Sequence, residues 1–140
     1  MPPELNLTGV KPYHPSKRTC ILWFKRINES VFLGKLPEIN NYVIKKNLYF
    51  DNHPSWAYYY RSLEYVKEAD NPYSKSKFIP GSTIVFSQEF PTKKFFIEIF
   101  AHELVHHYQF INGKPLGHGK SFFHWSKRFN SKGLNLAVSV

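Results

Sequence analysis

The segment His102-Glu103-Leu104-Val105-His106 constrains this chain most, because only a helix gives its spacing a chemical meaning. On a helix, positions i and i+4 share a face, so the two imidazoles can grip one metal ion with the glutamate beside it. Zinc held this way brings the pKa of its bound water towards neutrality, and the carboxylate can take the water's proton. Such an arrangement is equipped to hydrolyse an amide bond at ordinary pH. With 7 His in 140 residues, the pattern arises in roughly 2% of shuffled chains, so the flanking residues have to support it.

They do. Thr92 is a fitting N-cap and Asn112-Gly113 a helix stop, which together bracket a helix of ordinary length. Within it Ile97, Ala101, Leu104, Tyr108 and Ile111 recur at helical spacing and predict the buried stripe. Glu98, His102 and His106 fall on the neighbouring stripe, at the margin between core and solvent, where a metal open to substrate belongs.

A catalytic zinc takes three protein ligands and one water. From Leu104 to Val140 there is neither Asp nor Glu, so no downstream carboxylate can be the third ligand. An extended motif with a glycine and a third histidine further along the helix fails as well, because Gln109 and Asn112 hold those positions. His107 points about a third of a turn away from His106 and cannot reach the same ion. That leaves His118, in the pliant Gly117-His118-Gly119 loop, and His124, inside the next predicted helix. His118 is the expected ligand; His124 reads better as a partly buried or supporting histidine. Cys20, the only cysteine, sits in an apolar helical run and reads as a small packed hydrophobe.

The remaining elements follow from pattern. Residues 1–16 hold four prolines and predict an irregular arm. Lys17 to Phe32 carries apolar residues at helical spacing and stops at Gly34 and Pro37. Ile39–Lys46 and Leu48–Phe50 read as a short strand pair turning at Asn47, and Trp56–Lys67 as an aromatic-rich strand. Residues 68–81 predict a turn-rich loop, and Ser82–Ser87 a strand. Its stretch Ile84–Ser87 is the expected edge for aligning an extended peptide. A final helix is expected from Lys120 to Asn130, packed through Phe122, Trp125 and Phe129.

Three blocks, in order, resemble the SprT-like zinc metalloproteases, the family that includes the Spartan DNA–protein crosslink proteases. Phe24-Lys25-Arg26-Ile27-Asn28 with Val31-Phe32-Leu33-Gly34-Lys35-Leu36-Pro37 is similar to the family's opening helix and turn. Ser82–Ser87 resembles the strand before its active-site helix. Ala101–His107 with Gly117-His118-Gly119-Lys120-Ser121-Phe122 resembles its ligand motif and "HG..F" partner, and this block selects the same histidine as elimination does. The likeness spans about residues 18–135. No Cys-rich zinc ribbon of the kind some members carry is present in these residues.

The expected fold class is α+β: one zincin-like domain over 17–140 with an N-terminal helix, a small antiparallel sheet, the active-site helix and a C-terminal helix. The expected function is zinc-dependent hydrolysis of peptide bonds. His102, His106 and His118 hold one Zn2+, and Glu103 is general base and then proton donor to the leaving amine. Tyr108, His107, His124 and one of Tyr58–Tyr60 are candidates to steady the oxyanion.

A net charge of +9 attracts polyanions. The basic residues form scattered pairs, such as Lys25-Arg26, Lys93-Lys94 and Lys127-Arg128, rather than one tail. Expected partners are a protein or peptide substrate and, through that basic surface and the family resemblance, DNA. The alternative is a DNA-associated zinc-binding module with little catalysis. No run approaches the ~20 apolar residues of a membrane span, and the start lacks a signal-peptide core, so the expected setting is intracellular.

Overall fold

The computed structural model describes residues 5–66 and 77–136. Helix α1, Lys17–Val31, starts at Ser16, whose hydroxyl accepts from the Thr19 N–H while the Thr19 hydroxyl accepts from the Ser16 N–H. It buries Cys20, Trp23, Phe24, Ile27 and Val31. The chain leaves it through Leu33 and Gly34, both left-handed at φ 56° and 74°. Asn28 closes the turn that follows. Its side-chain amide donates to the Leu36 carbonyl at 3.0 Å and accepts the Leu36 N–H at 3.1 Å. The Asn–Gly–Lys–Leu–Pro pattern is therefore one folded unit, with the asparagine as its internal brace.

Strand β1 is Asn41–Lys45, β2 Tyr49–Phe50, β3 His53–Pro54, β4 Ala57–Val66 and β5 Lys77–Ser87. The main sheet has the order β1-β5-β4. β4 runs antiparallel to β5, whereas β1 runs parallel to it, Tyr42 facing Ile84 and Ile44 facing Phe86. The sheet is thus mixed where an antiparallel one was expected.

The predicted pairing of Ile39–Lys46 with Leu48–Phe50 does not form. Ile84, Val85 and Phe86 are buried in succession, and a strand covered on both faces needs a partner on each side. β1 supplies the second one. β2 pairs instead with β3 through a two-residue turn, Asp51-Asn52, both with positive φ as such hairpins require. β5 begins at Lys77, so residues 77–81 are strand where a loop was expected; the rest of that loop, 68–76, lies outside the described residues.

Helix α2, Lys93–Ile111, is capped by the Thr92 hydroxyl, which accepts the Phe95 N–H at 3.1 Å, and ends at Asn112. These are the bounds the sequence predicts. Phe96 and Phe100 of α2 pack on Phe86 of β5, with Tyr42 against both Phe86 and Phe100. Ile97, Ala101 and Leu104 are fully buried, Tyr108 partly, and Ile111 is exposed.

The expected last helix is broken into α3, Lys120–Phe123, and α4, Ser126–Ser131. Trp125 sits at the break, its ring against both Phe32 and Tyr108. The bend lets Phe122 reach the histidines of α2 while Phe129 packs on Phe32. Arg128 of α4 donates to the carbonyls of Ser30 and Val31 at 2.8 and 3.2 Å, satisfying the frayed end of α1. Among the described residues no helix is long and apolar enough to cross a membrane.

Candidate metal centre

α2 carries His102 and His106 one turn apart on the same side, and the loop before α3 returns His118 over them. One nitrogen from each ring lies within 4.8 Å of the others. The ring centres form a nearly equilateral triangle with sides of 5.1, 5.2 and 5.1 Å. Nε2 of His102 and Nε2 of His118 are 3.3 Å apart. Two nitrogens at about 2.0–2.1 Å from one tetrahedral ion stand roughly 3.4 Å apart, so this spacing fits a shared ion. His102 is buried, His106 half-buried and His118 exposed. The centre therefore opens on one side.

Phe122 forms its floor. Its ring centre is 4.7 Å from His102, 5.3 Å from His106 and 4.7 Å from His118. The residue is fully buried, so the three imidazoles rest on an apolar plate that excludes water from behind. Sequence patterning assigns Phe122 to the core, which is correct but incomplete.

Burial lowers the pKa of His106 and of His118, and each raises the share of neutral imidazole with a lone pair to offer. Glu103, next to His102, is 2% exposed. Loss of solvent pushes its carboxyl up from 4.5 to about 8. A cleft of about 860 Å3 joins Glu103 and the three histidines to Tyr58, Phe50 and Leu116. A second cavity of about 410 Å3, bordered by Lys46, Trp56 and Glu89, lies across the β2–β3 hairpin. Among the described residues it holds no group of potential metal ligands.

The other sequence candidates are placed elsewhere. His124 is exposed beside Trp125 and stays out of the cluster. His107 is buried with both ring nitrogens engaged, Nδ1 with the Tyr59 hydroxyl and Nε2 with the Pro37 carbonyl, each at 2.8 Å. It has no nitrogen left for an oxyanion. Tyr108 packs on Trp125 and does not border the cleft. Tyr58, against Phe50 and Tyr60, remains the tyrosine on the cleft wall with its hydroxyl uncommitted to His107. Glu98 turns away and accepts the Asn135 N–H. Ile84–Ser87 belongs to the central strand β5 and offers no edge; the strand that both ends the sheet and borders the cleft is β4. One participant went unread in the sequence: Gln109, whose Oε1 is 2.9 Å from Nδ1 of His106.

No curated protein matches the chain. The model of the SprT-like family matches residues 21–140, which takes in most of α1, the sheet, α2 and the whole histidine cluster. The chain belongs to the SprT-like family and carries a metallopeptidase-like domain whose three clustered histidines can hold a metal ion.

Proposed function

We propose that this protein is a zinc endopeptidase in which His102, His106 and His118 hold the ion and Glu103 moves the proton. The observation that carries the reading is the convergence of three imidazoles beside a buried carboxyl at the mouth of one cleft. Zinc, when bound, supplies a Lewis acid that activates water and polarises the scissile carbonyl.

The chain's own groups do the rest. The Glu103 carboxylate takes the proton that the attacking water sheds; burial raises its pKa in the metal-free chain, and a cation held by the adjacent histidines would favour its ionised form. The same oxygen delivers that proton to the amine nitrogen as the C–N bond breaks. His118 and the β2–β3 hairpin bound the cleft from opposite sides, and the margin of β4 at Ala57–Tyr59 gives an extended substrate backbone a strand to join. The excess of basic side chains supports substrates that are themselves bound to DNA.

The test pairs elemental analysis with cleavage of a DNA-bound basic protein, with and without added single-stranded DNA. One zinc per chain, cleavage that rises with DNA, and retention of zinc but loss of cleavage in Glu103→Gln are expected. A protein without stoichiometric zinc would end the reading. Zinc with no cleavage in either condition would make the protein a binding module, and equal cleavage without DNA would remove DNA from the function.

A further inference from the structure

Gln109 is fully buried, and its amide spends every hydrogen-bonding position it has. Its nitrogen donates to the Gly117 carbonyl and to the Ser121 hydroxyl, both at 2.9 Å. Its oxygen faces Nδ1 of His106 at 2.9 Å and accepts the Gly117 N–H at 3.3 Å. Two donors and two acceptors are all that a glutamine side chain offers.

The direction of the amide is decided by Gly117. A backbone carbonyl can only accept, so the amide nitrogen must point at it, and the oxygen then points at His106. An amide oxygen can only accept in turn, so Nδ1 of His106 carries its hydrogen. In the neutral ring the lone pair is thereby placed on Nε2. The same amide brackets Gly117 through both its N–H and its C=O, and Gly117 is the residue before His118. One buried side chain thus acts on two members of the cluster, which come from separate parts of the chain.

We propose that Gln109 is a positioning residue that sets the tautomer of His106 and fastens the loop carrying His118, so that both imidazoles present to a single ion. This rests on the zinc-binding role given to the cluster above. The residue neighbouring a ligand sets which ring nitrogen is free, and losing such a partner costs metal affinity about 10–100-fold.

The experiment reads the His106 tautomer by long-range 1H–15N NMR of the metal-free protein, and zinc affinity by competition with a chromophoric chelator. In the wild type, His106 is expected as the Nδ1–H form. Gln109→Leu should move it towards Nε2–H and weaken zinc about 10–100-fold, with the cobalt-substituted protein showing an altered absorption band. Gln109→Glu keeps an acceptor for His106 but loses both donors, so the tautomer should hold while affinity still falls because the His118 loop is released.

An unchanged tautomer and affinity in Gln109→Leu, or wild-type affinity in Gln109→Glu, would overturn the proposal. If Gln109→Leu fails to fold, the wild type alone decides, since Nε2–H at His106 contradicts the amide's orientation. A wild type that binds no zinc at all would instead refute the function, and the two failures are distinguishable.

Discussion

The Tyr59 hydroxyl lies 2.8 Å from Nδ1 of His107, joining the strand at the edge of the sheet to the helix that bears His102 and His106. The far nitrogen of that ring meets the Pro37 carbonyl, which fixes the proton assignments. Nε2–H donates to Pro37, and Nδ1 accepts from the tyrosine. Burial lowers the pKa of His107 and keeps it neutral. The ring next to His106 in the chain is thus given over to clamping three segments together.

Tyr59→Phe removes the donor and leaves a buried acceptor unsatisfied, a loss of about 1–3 kcal/mol. Urea denaturation of the metal-free protein should show the midpoint falling with no change in the slope, which would indicate that the native state has kept its compactness.

Glu103 gives a pH prediction whose sign can be worked out. Its carboxyl titrates near 4.5 when solvated and about 8 when buried. Between those values the folded, metal-free chain binds a proton that the unfolded chain has released, so stability falls as pH rises. Glu103→Gln lacks this slope. Its advantage in metal-free melting should be absent below about pH 4.5, grow across the interval, and level off above pH 8 at about 5 kcal/mol. Parallel curves for the two proteins across that range would contradict the buried ionisation.

Chelation should lower the melting temperature, because an ion bound only to the folded state stabilises it by about 2.7 kcal/mol at a hundredfold excess over its dissociation constant. His118→Ala removes an exposed ligand and should erase that difference while leaving the metal-free melt near the wild type. His102→Ala, at a buried position, should erase it and also lower the metal-free melt by about 1–3 kcal/mol. Differential scanning calorimetry with and without chelator separates the two.

Arg128→Ala strips the carbonyls of Ser30 and Val31 of their donor, 98 and 97 residues away in the chain. A loss of about 1–3 kcal/mol is expected. Zinc affinity should stay within about twofold, since Arg128 touches none of the three histidines. A large change in affinity would mean that the end of α1 is coupled to the cluster.

The helices were legible because their signals are local. Thr92 and Asn112 mark α2 within the sequence itself, and Gly34 marks the end of α1. The sheet was not, because alternation names a strand but not its neighbour: β1 and β5 meet across some 42 positions, and nothing between Asn41 and Lys45 states that Thr83–Ser87 will lie alongside. The break in the last helix was hidden by the heptad spacing of Phe122 and Phe129, which an unbroken helix would also satisfy. The clustering of His102 with His106 could be read from spacing, and that of His118 by elimination, because few side chains can serve as ligands. Gln109 could not. Its role depends on where Gly117 and Ser121 fold back, 8 and 12 residues later. The one available hint was a polar amide a turn beyond a ligating histidine.

Because β4 ends the sheet beside the cleft, whatever docks there must bring main-chain N–H and C=O groups that are still unspent. A helix, or a strand paired on both sides within a sheet, has none to give. Under the proposed peptidase function, compact proteins with no open sheet edge would be spared until some tract of theirs melts. Vulnerability would be set by how often a target frays, and only secondarily by the identity of the side chains around the cut.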